Sequence, residues 1–257
     1  MPNSSQVKRV ALVTGAAQGL GRAIAERFSR DGMSVAMCDL KAGPLEDACH
    51  ELTRSGVDAF PVVTDVSDEV SVTKMARAIE ARYGRLDVVV NSAGILMLVN
   101  GRSAKFEETS SDLWNKVMAV NLTGTFLVCR HTVPLMRRNK WGRIVNISSR
   151  SARGRTNSDA AYTASKAGVL ALTRVIANEF GRDGITANSI APSRVPTALN
   201  AALSSPEIIV SKIAETPIGR LGTKEDITAV VSFLCSEEAG YITGVVIDVT
   251  GGSYMPS

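Results

Sequence analysis

The chain has 257 residues, 45% of them hydrophobic and 21% charged, a composition that excludes disordered, collagenous and disulfide-scaffold classes. Its 29 basic and 25 acidic residues leave a formal charge of +4 spread along the chain, too mild and too mixed for a dedicated nucleic-acid surface. Cys38, Cys49, Cys129 and Cys235 stand far apart with only two histidines for company, so zinc-ligand spacing is absent and no metal is expected.

Residues 1–9 lead into only four apolar residues, 10–13, which is no signal-peptide core, and no stretch approaches the roughly 20 apolar residues that cross a bilayer. A cytoplasmic protein without a membrane partner is expected. Apolar runs at 10–13, 34–38, 58–63, 86–90, 143–147, 186–190 and 245–249 read as strands. Amphipathic patterns near 20–30, 44–55, 68–83, 111–138, 160–180 and 224–235 read as the helices between them. Strict alternation of this kind predicts an α/β fold, a doubly wound parallel sheet of the Rossmann type with helices on both faces. No linker divides the chain, so residues 1–257 are expected to form one domain, with 193–222, rich in Pro and Ser, as a lid.

In such a sheet ligands bind beyond the carboxyl ends of the strands. Directly after the first strand stands Thr14-Gly15-Ala16-Ala17-Gln18-Gly19-Leu20-Gly21, followed by a helical pattern. Glycines there allow a tight turn, let a pyrophosphate approach main-chain N–H groups, and let helix and strand pack closely. Asp39 closes the second strand 18 residues after Gly21, near the offset at which a carboxylate accepts hydrogen bonds from a ribose. A carboxylate at that position repels a 2′-phosphate, so NAD is expected over NADP, although Lys41 lies two residues on.

Tyr162 and Lys166 are four apart in a helical segment and share a face, and Ser149 ends a strand 13 residues earlier. A tyrosine is a poor base near neutral pH, since holding it as phenolate at pH 7 costs about 4 kcal/mol. A neighbouring ammonium and a cationic nicotinamide ring can supply that in a desolvated crevice. Ser148 is the rival to Ser149, but successive side chains on an extended segment point opposite ways.

The chain resembles the short-chain dehydrogenase/reductase family over about residues 8–252. The blocks that carry the resemblance are the glycine loop, Asp65-Val66, Asn91-Ser92-Ala93-Gly94, Asn121, Ser149, Tyr162-Thr163-Ala164-Ser165-Lys166, Ala191-Pro192 and Val195-Pro196-Thr197. The resemblance implies a catalytic tetrad of Asn121, Ser149, Tyr162 and Lys166. In it Tyr162 is the general acid/base, Lys166 lowers its pKa and holds a ribose, Ser149 bonds the substrate oxygen, and Asn121 interrupts its helix to leave a carbonyl for a water. It also implies cofactor contacts from Gly15, Gln18, Gly19, Leu20, Gly21, Asp39, Asp65, Val66, Asn91, Ala93 and Gly94. Tyr162, Lys166, Pro192, Val195 and Thr197 complete that set. A sheet of about seven strands and a homotetramer are further implications.

Three residues depart from the family pattern: Ser92 for a second Asn, Ser193 where Gly is usual, and Thr250 where Asp is common. If position 193 required a positive φ, Ser193 would be strained. Arg150, Arg153 and Arg155 form either a solvated basic loop or a grip for an anionic substrate, and Met97 either lines the pocket or packs. The reading that follows is an NAD-dependent oxidoreductase interconverting a secondary alcohol and a ketone on a small molecule, preferentially a sugar, polyol or other hydroxy compound. A 3-oxoacyl-thioester reductase and a catalytically silent NAD-binding regulator are the alternatives.

Overall fold

The computed structural model describes residues 8–154, 156, 158–203 and 205–256. Strands and helices alternate through the first half as β1 (Val10–Thr14), α1 (Gly19–Arg30), β2 (Ser34–Asp39), α2 (Ala42–Arg54), β3 (Ala59–Val63), α3 (Glu69–Tyr83) and β4 (Val88–Asn91). A small hairpin of β5 (Leu98–Val99) and β6 (Arg102–Ser103) follows, then α4 (Ser111–Met118), α5 (Gly124–Asn139) and β7 (Gly142–Ile147). The rest is α6 (Ala160–Phe180), β8 (Ile185–Pro192), α7 (Pro206–Ala214), α8 (Lys224–Leu234) and β9 (Val246–Val249).

Seven strands form one parallel sheet in the order β3-β2-β1-β4-β7-β8-β9. The order reverses between β1 and β4, where Val13 pairs with Met37 on one side and Val90 on the other. A crevice opens at such a reversal because successive crossovers leave to opposite faces of the sheet. Alternation along β1 divides the core accordingly. Ala11 and Val13 pack with Ile24, Phe28 and Leu45 on one face, while Val10 and Leu12 pack with Met75, Ile79 and Met136 on the other. All the large side chains among these are buried, each stabilising the fold by about 1.5–3 kcal/mol.

Three segments differ from the sequence expectation. The helix expected over 111–138 is two helices joined by a π turn, Ala119–Thr123, in which the Gly124 N–H reaches back to the Ala119 carbonyl. The hairpin turns through Asn100 and Gly101 at φ of 50° and 75°, the left-handed pair that a two-residue turn demands. Within 193–222, a 3-10 turn spans Ala198–Leu203 and α7 starts where Pro206 follows Ser205, whose hydroxyl accepts from the Ile208 N–H. Its Val210 is 67% exposed, so no buried stripe marked α7 as a helix.

Among the described residues no helix is long and apolar enough to cross a membrane, and no cluster of His, Cys, Asp and Glu could hold a metal ion. The four cysteines are unpaired and buried.

Candidate active site

A cleft of about 430 Å³ lies across the carboxyl ends of the strands at the point of reversal. Its floor is the loop from β1 to α1. Gly15 and Gly19 take φ of 68° and 62°, and a Cβ on Gly21 would collide with the Gly15 carbonyl oxygen. The Gln18 side chain leaves α1 uncapped, so its first N–H groups face the cleft without a side-chain partner, an arrangement that suits an anion. Asp39 closes this end: one carboxylate oxygen accepts from the Ala17 N–H at 3.1 Å and the other from the Lys41 N–H at 3.2 Å. The β4 end is tied to β1 by the Thr14 hydroxyl, which accepts from the N–H groups of Ser92 and Ala93. Ser92 therefore serves this turn through its backbone, whatever its side chain.

At the other end of the cleft stand Ser149, Tyr162 and Lys166. Asp159 caps α6 and accepts from the Tyr162 N–H at 2.7 Å, which fixes where the helix, and so the phenol, begins. Lys166 follows one turn on, its nitrogen 5.8 Å from the Tyr162 ring centre. The ammonium is buried, donates to the Ile147 carbonyl at 2.8 Å, and has no carboxylate beside it among the described residues. Burial pulls it down to about 8. Burial pushes the Tyr162 phenol above its ordinary value, with a hydrogen bond from Ser149 acting against that and the Asp159 charge adding to it. Ser148 and Ser149 are divided as strand alternation requires: Ser148 donates to the Lys166 carbonyl, and Ser149 is the serine that meets the phenol.

Asn121 is fully buried behind this group. Its side-chain oxygen accepts from the Ile95 N–H at 2.8 Å, and its amide donates to the Ile95 carbonyl and the Ser165 hydroxyl. The helix is interrupted here by the π turn, and the Asn121 carbonyl already accepts the Thr125 hydroxyl at 2.9 Å.

The cleft wall also holds Gln18, Leu20, Asp65, Val66, Ala93, Gly94, Pro192, Val195 and Thr197. Asp65 braces its own turn through the Ser67 N–H and hydroxyl. Asn91 does not reach the wall: its amide is turned into the core toward Cys129 and Asn146. Met97 is also absent from the wall, where Ile95 stands instead. Arg153 is held by both oxygens of Asp248 and lies over the Tyr254 ring, so it is not available to grip a substrate. Arg155 lies outside the described residues. Arg150 faces a neighbouring cavity rather than this cleft.

Ser193 is not strained, for among the described residues only Asn100 and Lys140 have positive φ without being glycine. Its N–H donates to the Val249 carbonyl, and its hydroxyl is hydrogen-bonded to that of Ser253. Thr250 donates to the Tyr254 carbonyl. Sequence reasoning missed Thr14 as a brace, Asp159 as the cap that sets Tyr162, and Leu199 and Asn200 on the wall. An Asp three residues before a helical Tyr was the one signal available for the cap.

The family described as enoyl-(acyl carrier protein) reductase matches residues 15–254. A human protein named (3R)-3-hydroxyacyl-CoA dehydrogenase is 39% identical, over 96% of this chain and 95% of its own. A 3-oxoacyl-[acyl-carrier-protein] reductase of Staphylococcus aureus is 36% identical, over 97% of this chain and 100% of its own. A crystal structure of a 3-oxoacyl-[acyl-carrier protein] reductase from Brucella melitensis with bound NAD superposes with a TM-score of 0.89 at 35% identity, covering 100% of this chain and 97% of that one. With the sheet order, the glycine loop and the matched length in agreement, the chain belongs to the short-chain dehydrogenase/reductase family and is an oxidoreductase that acts on CH–OH groups.

Proposed function

We propose that this protein is an NAD-linked oxidoreductase interconverting 3-hydroxyacyl and 3-oxoacyl thioesters. The observation that carries the reading is that Ser149, Tyr162 and Lys166 share one cleft with the glycine loop and Asp39. The names of the relatives favour acyl thioesters over the sugar or polyol substrates that the sequence alone suggested. A preference for NAD through Asp39 is compatible with a thioester reductase, because a 3-oxoacyl reductase of similar structure carries NAD.

The dinucleotide, when bound, accepts or delivers the hydride. Gly15, Gly19 and Gly21 with the open end of α1 would hold its pyrophosphate, and Asp39 its adenosine ribose. In oxidation Tyr162 takes the hydroxyl proton as the hydride leaves, and in reduction it returns that proton. Ser149 orients the substrate oxygen and stabilises charge that develops on it. Lys166 favours the phenolate because it is an unneutralised cation in a dry site, where opposite charges attract strongly. Asn121 fixes the Ile95 segment that borders them. Residues 193–222, which supply Val195, Thr197, Leu199 and Asn200 to the wall, act as a lid.

All of 1–257 is taken to work as one catalytic unit, four copies to assemble as a homotetramer, and the buried reduced thiols to suit the cytoplasm. The experiment is an absorbance assay of 3-oxoacyl thioesters, neutral polyols and sugar acids with NAD(H) and NADP(H) in parallel. Thioester turnover with kcat/KM at least ~10-fold higher for NADH is expected, since one well-placed charge discriminates on that scale. Tyr162→Phe should lower kcat by at least ~100-fold while NAD binding survives, because only proton transfer is removed. Polyol turnover in place of thioester turnover would reverse the substrate assignment, and none on any substrate would leave a silent NAD-binding regulator.

A further inference from the structure

A second cavity, of about 190 Å³, adjoins the cleft. Ser193 lines both spaces, and Arg150 in the cavity wall follows Ser149 directly in the chain. Four basic side chains, Arg150, Arg194, Lys212 and Arg220, face this cavity with two acidic ones, Glu215 and Asp226.

Two of the cations are neutralised where they stand. Arg220 binds both oxygens of Asp226 at 2.6 and 2.9 Å, and Lys212 meets Glu215 at 2.6 Å. Arg194 donates to the Leu203 carbonyl at 2.8 Å. Arg150 differs from all three. It sits half-buried in the short turn after Ser149, where its carbonyl accepts from the Arg153 N–H, and its guanidinium makes no hydrogen bond or ion pair with any described residue. Glu215 does feel Arg150, but Lys212 and Ser211 hold that carboxylate first. The Ser193 hydroxyl lies 3.0 Å from that of Ser253, whose single hydrogen also reaches the Thr250 carbonyl at 2.9 Å, so these two serines satisfy each other.

We propose that this annex, through the Arg150 guanidinium, binds an anionic group, carboxylate or phosphate, that the substrate carries away from its reacting carbon. The inference rests on Ser149 and Tyr162 as the reacting site and goes beyond it by assigning a charge to the substrate. A guanidinium presents a fork of donors that matches a carboxylate or phosphate edge, and a half-buried cation without a partner gains most from one. Ser193 lines both spaces, so a molecule that spans them would set its oxygen at Ser149 and its charge at Arg150. Arg153, the other described arginine of this loop, is held by Asp248 and takes no part.

The test compares three thioesters with the same reacting end: a neutral N-acetylcysteamine thioester, the same compound with a terminal carboxylate on its acyl chain, and a phosphopantetheine thioester. Arg150→Met keeps the stem and removes the charge. It should raise KM for one charged substrate at least ~10-fold more than for the neutral one, with kcat altered less than ~2-fold, the pattern of lost uniform binding. Which charged substrate is affected identifies the source of the anion. Equal KM changes on all three, or none, overturn the proposal.

Calorimetric titration of inorganic phosphate into the full-length protein saturated with NAD gives a readout independent of turnover. Phosphate should bind the wild type and the Tyr162→Phe variant alike and bind Arg150→Met at least ~10-fold more weakly. That result without thioester turnover would reject the proposed activity and keep the anion site. Equal phosphate binding by wild type and Arg150→Met would reject the site even if the enzyme reduces thioesters.

Discussion

Lys166 has its ammonium in a dry pocket with a backbone carbonyl as its hydrogen-bond partner. Burying a charge without an opposite charge is costly, and the protein meets that cost by weakening the ammonium's hold on its proton, from an ordinary 10.5 to about 8. The stability consequence has a definite sign. Between about pH 8 and 10.5 the folded chain has lost this proton and the unfolded chain still holds it, so the group's contribution makes stability rise with pH in that window. The full rise is roughly 3 kcal/mol. Buried thiols at Cys38, Cys49, Cys129 and Cys235 act the other way above their ordinary 9, as does Tyr162 above 10. The thiols are common to all variants but the ammonium acts on the phenol, so the lysine is isolated by comparing Tyr162→Phe with the double variant Tyr162→Phe, Lys166→Met. Denaturant midpoints measured from pH 8 to 10 without dinucleotide should show Tyr162→Phe gaining about 2 kcal/mol relative to that double variant. A flat difference would mean that Lys166 is solvated.

Gly21 lies at the meeting of the first loop and α1, and it acts on the whole of that element. Its missing side chain lets the helix press against the Gly15 carbonyl, which keeps the first N–H groups of α1 pointed into the cleft. Gly21→Ala must displace backbone rather than a side-chain tip. It should cost about 1–3 kcal/mol and weaken NAD binding at least ~10-fold, read by denaturation and by fluorescence titration. Gly43 is the control: it is helical in α2, exposed, and has open space where a Cβ would go. Gly43→Ala should stabilise by up to about 1 kcal/mol without touching NAD binding. A Gly21 variant as benign as the Gly43 one would remove close approach as the reason for glycine there.

Across the molecule the sheet has two ends with separate tasks. The carboxyl end holds the cleft, and the amino end holds a fully buried carboxylate, Asp87, that joins three strands. Its side chain accepts from the Val10 N–H at 2.9 Å and binds Arg85 at 2.6 and 2.9 Å, while its backbone pairs with Val10 and with Arg143. Asp87→Ala orphans the Val10 N–H and the Arg85 guanidinium together, which should cost about 3–5 kcal/mol. For a chain of this size that lowers Tm on the order of 10 °C. Since Asp87 is remote from the cleft wall, kcat/KM of the folded enzyme at 20 °C should be unchanged. A matching loss of activity would mean that the two ends of the sheet are coupled.

Local physics alone determined most of the architecture. Apolar runs mark β1, β2 and β4, which are buried on both faces, and helical apolar patterns mark α1 to α3, so the doubly wound sheet and a cleft beyond its strand ends followed. The glycine loop, Asp39, Ser149, Tyr162 and Lys166 were legible for the same reason: each sits at a strand end or on one helix face, within reach of its neighbours in the chain. The Asn100-Gly101 turn was equally local and was available to be read. What the tertiary structure decided is where long side chains and distant segments meet. Arg153 could be assigned to Asp248, 95 residues on, only once β9 lay beside β8. The inward turn of Asn91 toward Cys129 and Asn146, and the separation of Arg150 into its own cavity, likewise depend on packing between elements that no single stretch of sequence contains. An arginine or asparagine has several rotamers open to it at any backbone position, and the partner that selects one is supplied by the fold.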